Sequence, residues 1–521
     1  MNGGLTPTKG EGSPVLSGAA VLNADHLVKD IGTRAVSGGF VTIAAQAAKV
    51  VLNLAAAAVL ARLLSPKEFG LVGMVLGITG LVGLFKELGL STATVQRDTI
   101  TQQQVSNLFW VNVIVSGLLT VISFGIAPWA ARFYHDPRVA GIMMVLSLTF
   151  VLTGSTVQHQ ALLARQMRFR VIAMIDVTSM FVGFAFACGL AKLGFSYWSL
   201  VAQQLVYAVS SLLLTWFYSK WRPSLPSRNS GVLPMLSFGA HLTLADFIGL
   251  LMINSDAVLI GRVFGAEPLG LYTRANVLLQ RPLQQIYIPI NSVLTPVLSR
   301  LQSDSERYRR SFLRAYTAMA LITFSFAALC LALASPMVLV ILGPKWEGVI
   351  PLFSAFSVAA IALPLSDAAN WLFQSQGRGR EQLRNHTIIG IVSLSSYVIG
   401  LHWGLLGVVI AIAIATTAIR MPVVYYFAGR VGPVCTRDLW MAFLSHSPCW
   451  GAVYLSAFLA QMMMKNASPI IQLIVCVPVG LAGGAVLLLA FRRPRESVFY
   501  LWHTIRNVFK KESHESNSYG S

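Results

Sequence analysis

The chain has 521 residues, of which 55% are hydrophobic and only 11% are charged. Soluble domains usually carry about 25% charged residues, so this composition excludes a soluble globular protein and indicates that lipid surrounds most of the chain. The formal net charge of +19 raises the question of nucleic-acid binding, but the basic residues lie in short connectors and form no contiguous basic domain, which argues against it.

The predicted elements are fourteen apolar runs, each long enough to cross a membrane as a helix of about 20 residues. A polar cytoplasmic tail, residues 1–36, precedes them, and a basic, polar cytoplasmic tail, residues 492–521, follows them. Only helices and closed barrels satisfy their backbone groups in hydrocarbon, so such unbroken hydrophobicity predicts an all-α polytopic membrane protein. The predicted spans are 37–61, 70–90, 107–128, 140–163, 171–192, 197–218, 238–261, 272–297, 312–333, 349–373, 386–403, 405–427, 441–462 and 468–491.

The distribution of Lys and Arg predicts how these spans are oriented. With the N-terminus in the cytoplasm, and with residues within two positions of a span end counted with the adjoining segment, the cytoplasmic segments hold 26 of the 39 basic residues, the opposite loops hold 9, and the spans hold the other 4. This bias follows the positive-inside rule, so both termini are expected in the cytoplasm. The basic connectors RQMRFR (165–170) and RYRRSFLR (307–314) are then expected to be solvated faces near anionic headgroups.

A short polar elbow occurs twice, as RLLSPKEFGL at 62–71 and as RVFGAEPLGL at 262–271, so that Gly70 corresponds to Gly270. Six predicted spans separate the copies, and both copies therefore begin with the same orientation. This predicts two parallel six-helix bundles related by a pseudo-two-fold axis, with the elbow as an architectural turn on the periplasmic side. The predicted division is a first bundle at 37–218, a cytoplasmic linker at 219–237, a second bundle at 238–427 and two additional helices at 428–491.

Polar side chains form stripes along spans 1 and 8, which indicates a water-filled cavity between the bundles. In each span four polar residues recur at spacings of 4, 3 and 4, which keeps them within about 60° of arc on one helix face. Polar groups of this kind also join helices by hydrogen bonds alone, and that alternative stays open. The stripes are Thr42, Gln46, Lys49 and Asn53 in span 1, and Gln280, Gln284, Tyr287 and Asn291 in span 8.

Charged residues within the spans indicate what the cavity would bind. A cation at the centre of a span costs about 2.5–3.5 kcal/mol on insertion scales, so its presence suggests a function. The basic residues would suit an anionic, phosphate-bearing cargo, and the acidic residues are candidates for ion coupling or charge balance. Lys49 has no acid at i±3 or i±4, and internal pairing, with Asp246 as one candidate, is not excluded. The residues are Lys49, Arg281 and Arg420, with Asp176, Asp246 and Asp367.

The run ARLLSPKEFGLVGM, followed by LGLSTATVQRD and QALLARQMRFRV, resembles the Wzx-type flippases of the colanic acid and exopolysaccharide branch, within the MATE-like MOP superfamily. The resemblance implies a two-bundle fold in the bacterial inner membrane and a cationic central cavity. It also implies that the cargo is an undecaprenyl-pyrophosphate-linked oligosaccharide, flipped for exopolysaccharide or lipopolysaccharide biosynthesis. Partners would be membrane lipids and the polymerase and co-polymerase of the export pathway.

Three other classes of protein fit parts of the sequence. A membrane-bound glycan polymerase or ligase would be polytopic too, but every predicted periplasmic connector is short and carries no paired carboxylates, so an enzyme is not expected. A multidrug transporter of the same superfamily often carries cations, which the basic residues disfavour. A lipid II flippase shares the anionic anchor and is disfavoured only by the motifs above. The five cysteines form no CxxC pair or Cys/His cluster, so no metal or cofactor is predicted.

Overall fold

The computed structural model describes residues 31–83, 89–97, 100–227 and 255–490, and every regular element in these ranges is a helix. The first half of the chain contains α1 (Ile31–Leu63), α2 (Pro66–Gly83), α3 (Leu90–Gln96), α4 (Gln102–Tyr134), α5 (Arg138–Gly154), α6 (Val157–Arg165), α7 (Phe169–Lys192) and α8 (Trp198–Ser219). The rest contains α9 (residues 255–264), α10 (Ala266–Arg300), α11 (Ser305–Ala332), α12 (Ala334–Ile341), α13 (Val349–Ser375), α14 (Gly379–Leu401), α15 (Gly404–Ile414), a π-helix (Ala415–Arg420), α16 (Met421–Gly429), α17 (Thr436–Met463) and α18 (Pro469–Ala490).

Hydropathy accounts for these helices. Within the described ranges, eight helical segments are long and apolar enough to cross a membrane. Further helices, α1, α2, α10, α14 and α17, coincide with predicted spans, whereas span 7 lies mostly outside the described residues. The helices are consistent with fourteen spans, and the prediction of an all-α, multi-pass membrane protein is confirmed.

Each half is held together by its own helix contacts. In the first half α7 packs against α1 and α8, and α4 packs against α5. In the second half α10 and α11 pack against α13, and the last two helices follow as an antiparallel pair in which α17 packs against α11 and α18. The two halves meet mainly where α2 packs against α10.

One connector has the same geometry in both halves. Arg168 and Arg378 each precede a helix with almost identical backbone angles, φ −82° and ψ 48° against φ −84° and ψ 50°. Each guanidinium reaches the end of a helix fifty residues later, where Arg168 Nη1 donates to the carbonyl of Tyr218 at 3.1 Å and Arg378 Nη1 to that of Ala428 at 3.0 Å. A cation at these carbonyls also complements the negative end of the helix dipole.

The chain that leaves the first half is held against α4. Trp221 Nε1 donates to Gln102 Oε1 at 2.6 Å, and Asn107 exchanges two hydrogen bonds with the backbone of Ser227, at 2.6 and 2.9 Å. Residues 221–227 of the predicted linker are therefore anchored to the first half.

Two expectations from the sequence differ from the structure. Helix α1 begins at Ile31, six residues before the first predicted span, because a helix extends past the apolar window that hydropathy detects. The basic connectors are not simply solvated. Arg168 caps α8, and Arg309 holds Asp438 of α17 in a bidentate pair at 2.6 and 2.9 Å.

Candidate functional site

The two repeated elbows contact each other where α2 crosses α10. A Cβ atom added to Gly70 would lie 1.6 Å from the carbonyl oxygen of Ala266, and one added to Gly270 would lie 1.9 Å from that of Pro66. The helix backbones therefore touch without intervening side chains, which only glycine allows. We call the end of the molecule formed by residues 62–71 and 262–271 the elbow end, and in this structure it is closed.

Contacts around the crossing join the two halves at the elbow end. Trp346, which follows α12, inserts into the first half and donates from Nε1 to the carbonyl of Ala61 at 2.7 Å. Its ring also meets Phe69 edge-on, with centroids 5.4 Å apart. On another side, Arg262 lies 3.2 Å from His135 Nδ1. Closure thus depends on buried packing and on hydrogen bonds across the interface between the halves.

One residue of the predicted stripe on span 1 contacts span 8, but at a residue outside the stripe predicted there. Gln46 on α1 donates from Nε2 to Oε1 of Gln285 on α10 at 2.5 Å. The spacing of polar residues predicts Gln284 for this position, but the Gln284 side chain is exposed. Gln285 lies 100° further around the helix, and it is the residue that faces the opposite half.

Lys49 is paired with an acid of its own half. Its Nζ lies 2.5 Å from Asp176 Oδ2 on α7, and about a quarter of each side chain is exposed. Asp176 was among the predicted charge-balancing residues. Asp246, the partner considered for Lys49, lies outside the described residues.

A second ion pair lies in the other half. Arg420, the last residue of the π-helix, places Nη2 2.7 Å from Asp367 Oδ1 on α13. Its Nε atom is buried and has no hydrogen-bond partner. Tyr287 of α10 donates to the backbone carbonyl of Asp367 at 3.3 Å. π-Helical turns are frequent at functional sites, and this one sets the position of an intramembrane arginine.

Three arginines on α10 lack an acidic partner within the described ranges, and two of them, Arg274 and Arg281, lie within the helix and not at its end. Arg281 is exposed and forms no ion pair, and Arg274 lies two turns away, about 20° around the helix. The guanidinium of Arg274 stacks over Phe69 at 4.1 Å, while its Nε atom is buried without a hydrogen-bond partner. The sequence pattern does not single out Arg274, because it lies only two residues inside the predicted span 272–297 and was counted with the adjoining connector; in the structure the helix begins at Ala266, so Arg274 lies well within it.

The other predicted site residues are dispersed along the same helices. Asn53 and Gln284 are exposed, and Gln280 is partly buried. Asn291 is also partly buried and accepts a hydrogen bond from Thr295 at 3.1 Å. In the part of the chain that the structure describes, no group of three or more His, Cys, Asp or Glu side chains could hold a metal ion.

The architecture matches solved transporters. The lipid II flippase MurJ in an inward closed conformation aligns with a TM-score of 0.68 at 12% identity, over 87% of this chain and 99% of that protein. An inward-facing multidrug MATE transporter of the MOP superfamily aligns with a TM-score of 0.56 at 16% identity, over 79% and 98%. The fold is therefore that of the MOP superfamily of transporters.

Sequence comparison gives the family. Residues 59–351 match the family described as polysaccharide biosynthesis protein, and the chain belongs to this family. The teichuronic acid biosynthesis protein TuaB of Bacillus subtilis (strain 168) is 25% identical over 56% of this chain and 61% of its own length, so the chain spans about three fifths of that relative. The lipopolysaccharide biosynthesis protein WzxC of Escherichia coli (strain K12) is 27% identical over 63% and 67%. The expected resemblance to Wzx-type proteins of the MOP superfamily is confirmed.

Proposed function

We propose that this protein flips an undecaprenyl-pyrophosphate-linked oligosaccharide across the bacterial inner membrane, for the synthesis of a surface polysaccharide. The names of the relatives support this proposal. WzxC is named for lipopolysaccharide biosynthesis, the relative ExoT of Rhizobium meliloti (strain 1021) is called a succinoglycan biosynthesis transport protein, and MurJ is a lipid II flippase. The cargo would cross by alternating access between the two halves.

The observation that carries the proposal is the unbalanced charge on α10. Arg274 and Arg281 lie two turns apart, on the helix that contacts both α1 and α2, and neither pairs with an acid of the described ranges. Cations placed within a membrane are costly unless a partner compensates them. Guanidinium groups bind phosphate oxygens in bidentate fashion, so a pyrophosphate would provide that partner.

The polar groups around these arginines would receive the rest of the headgroup. Gln46 and Gln285, which bond to each other across the halves, can each offer an amide N–H and a carbonyl oxygen to sugar hydroxyls. Lys49 and Arg420 are held by Asp176 and Asp367 and would exchange these carboxylates for phosphate oxygens when cargo enters. The acids then act as charge balance in the empty protein.

Opening at the elbow end would release the cargo to the periplasm. The positive-inside bias of the connectors supports a cytoplasmic location for both termini. A reporter active only in the periplasm should therefore be active when fused after Lys67 or Arg138, and silent when fused after Arg168 or Arg309. Reporter activity after Arg309 would mean that the chain has the opposite orientation in the membrane.

Complementation tests the proposal. An exopolysaccharide-negative bacterial mutant lacking its flippase should regain polymer secretion when it carries this chain. Arg281→Ala should abolish secretion with normal membrane accumulation, and Arg281→Lys should retain part of it because the charge survives. Arg310→Ala is the matched control, since Arg310 forms an exposed pair with Glu306 on the surface of α11.

Lipid-linked repeat units should accumulate in the cytoplasmic leaflet of cells that carry Arg281→Ala. Undiminished secretion by a double variant, Arg274→Ala with Arg281→Ala, would overturn the cationic site. Rescue of a lipid II flippase mutant, with no rescue of polymer secretion, would instead assign a different cargo of the same chemistry.

A further inference from the structure

An apolar groove lies on the surface of the second half, between α14 on one side and α15 with the π-helix on the other. Its volume is about 640 Å³, and nearly all the side chains that line it are apolar. Two of them, Ile391 and Ile414, are 60% and 58% exposed. Both walls coincide with predicted spans, so the groove opens toward lipid. Its lining includes Ile391, Ser395 and Ile399 of α14, and Leu406, Ile410 and Ile414 of α15.

The groove forms because the two helices touch closely at one end and not at the other. A Cβ atom on Gly400 would lie 2.5 Å from Cα of Val408, and one on Gly407 would lie 2.8 Å from the carbonyl oxygen of Gly400. The backbones are therefore in direct contact beside the connector that joins them. Toward its other end α14 packs only loosely against the π-helix and α16, which leaves the groove open between the walls.

An arginine lies at the same end of each wall. Arg384 comes seven residues before Ile391 on α14, which puts the two side chains within about 20° of each other around the helix. On the other wall Arg430 comes eleven residues after Ile419, which lines the groove. Both arginines are exposed and lie just outside the predicted spans. Two guanidinium groups are thus placed at the level of lipid headgroups, in line with the groove.

Both guanidinium groups are held by aromatic rings of α16. Arg384 stacks over Phe427 at 4.4 Å from the ring centroid, and Arg430 lies over Tyr426 at 5.9 Å. Neither arginine forms an ion pair with a residue of the described ranges. Stacking over a ring leaves the N–H edge of a guanidinium group able to bind an anion.

One acid lies close to both arginines, and it already has a partner. Glu381, in the first turn of α14, accepts a hydrogen bond from Arg378, and this bond lowers the pKa of its carboxyl group. The charges of Arg430 and Arg384 lower that pKa further. Three arginines around one carboxylate leave a net charge of about +2, so this end of the groove attracts an anion.

We propose that the groove and its two arginines form a binding site for an anionic glycerophospholipid, with the phosphate at Arg384 and Arg430 and an acyl chain in the groove. Basic pockets between membrane helices recognise such headgroups. Ile391 lies about 10 Å from Arg384 along the helix axis, and Ile399 about 12 Å further, which compares with about 15 Å of hydrocarbon in one leaflet. The predicted orientation of the spans puts the phosphate in the cytoplasmic leaflet.

Binding is measured by native mass spectrometry on the full chain, purified and delipidated in a neutral detergent. The probes are phosphatidylglycerol and phosphatidylcholine, each with one palmitoyl and one oleoyl chain. The first phosphatidylglycerol should bind roughly tenfold more tightly than phosphatidylcholine, because only its headgroup carries a net charge. Added NaCl should weaken that preference.

The arginine variant is Arg384→Gln with Arg430→Gln, in which phosphatidylglycerol should bind no more tightly than phosphatidylcholine. Arg307→Gln with Arg310→Gln is the matched control. It removes the same charge from exposed side chains at the start of α11, which lie outside the groove, and the preference should survive. An equal loss in both double variants would mean a general attraction to surface charge and would overturn the proposal.

A second variant tests the groove and leaves the arginines in place. Ile414→Trp adds bulk to the lining, so phosphatidylglycerol with long chains should bind several-fold more weakly. Dihexanoyl phosphatidylglycerol, whose chains are too short to fill the groove, should bind as it does to the parent. Leu118→Trp is the matched control, because Leu118 is 57% exposed on α4 and lies outside the groove. Unchanged binding of the long-chain lipid to Ile414→Trp would overturn the assignment of the groove.

Equal affinities of the parent for the two long-chain lipids would also overturn the proposal. Undecaprenyl phosphate at an equal concentration should leave phosphatidylglycerol bound. If it displaced the phospholipid and required the same two arginines, the site would belong to a polyprenyl lipid instead. The proposal does not rest on the proposed function, and the first comparisons contain no cargo, so their outcome is independent of the flippase assignment.

Discussion

Replacing Gly70 by alanine should prevent the elbow end from closing. The added methyl group would lie 1.6 Å from the carbonyl oxygen of Ala266, and the nearby carbon of the same carbonyl would be at 2.4 Å. Both atoms belong to the backbone, so no side-chain rotation can relieve the overlap. The crossing can accommodate the methyl group only if α2 and α10 move apart.

The size of the effect follows from this overlap. Ordinary van der Waals contact begins at 3.4 Å, so the Cβ atom and the carbonyl oxygen must separate by a further 1.8 Å. Overpacking of this kind typically costs about 1–3 kcal/mol, which corresponds to a shift of about 5- to 150-fold toward the open form. Helix propensity acts in the other direction, because alanine favours an isolated helix over glycine by about 1 kcal/mol.

The assay is disulfide cross-linking between Gly73→Cys on α2 and Thr273→Cys on α10, because a Cβ atom on Gly73 would lie 3.9 Å from Cγ2 of Thr273. It is combined with measurements of polymer secretion and with immunoblotting of membranes. Gly117→Ala in α4 is the matched control, since a Cβ atom there would meet nothing within 4 Å. Both variants make the same change within a membrane helix, so a difference between them isolates the crossing. Gly270→Ala should repeat the effect, because its Cβ atom would lie 1.9 Å from the carbonyl oxygen of Pro66.

Native cross-linking and full secretion by Gly70→Ala would refute the reasoning. That result would mean that the backbone contact is not required at any stage of transport. If Gly70→Ala were absent from the membrane, the crossing would be needed for folding. Gly270→Ala would then be the informative variant, because an intermediate cross-linking yield in protein that still accumulates would show that the crossing also favours closure.

Three further predictions follow from the ion pairs and from the closed interface. Lys49→Ala should lower membrane accumulation more than the double variant with Asp176→Asn, because the single change leaves an acid without its cation; equal accumulation would contradict the pairing. Trp346→Phe keeps an aromatic ring but loses a hydrogen bond, so thermal stability should fall by about 1 kcal/mol, and no change would argue against that bond. The guanidinium of Arg309, which is hydrogen-bonded to Asp438, lowers the pKa of that carboxyl group. The ionised Asp438 therefore stabilises the folded protein fully when the pH is above the ordinary pKa of an aspartate, and this stabilisation is lost as the pH falls below about 4. The melting temperature of Asp438→Asn should therefore change less over that pH range than the melting temperature of the parent, and parallel pH profiles would contradict this.

Helix positions could be predicted because lipid imposes them. The break between α14 and α15 illustrates this, since the sequence places a turn at His402–Gly404 between two apolar runs. The structure ends one helix at Leu401 and begins the next at Gly404. Backbone groups in hydrocarbon have no alternative to helical hydrogen bonds, so hydropathy is sufficient to locate such elements.

Partners across helices could not be predicted in the same way. Lys49 and Asp176 are 127 residues apart, and their contact depends on how α1 and α7 rotate about their axes. Hydropathy does not define that rotation, which is set by packing. Because the rotation of α10 about its axis is not defined by hydropathy, the spacing of polar residues predicts Gln284 as the residue facing the cavity, whereas Gln285 contacts Gln46 in the structure.

The role of the elbow end could not be predicted from the sequence either, for a different reason. The repeat was visible in the sequence, and Gly70 and Gly270 were matched to each other. Their significance depends on a contact between two segments 200 residues apart, and nothing in the pattern of residues indicates that the copies touch.

The connectors that begin with Arg168 and Arg378 have a consequence for biosynthesis. Each arginine finds its acceptor within its own half, so a nascent chain that has emerged as far as Ser219 already contains the helix end that Arg168 caps. A further 210 residues must then be translated before the helix end that Arg378 caps, which finishes at Gly429, is available, and this takes roughly 10–40 s at typical rates of about 5–20 residues per second. The first bundle therefore has time to assemble before its near-copy is complete, and we expect this delay to keep the duplicated helices from exchanging partners.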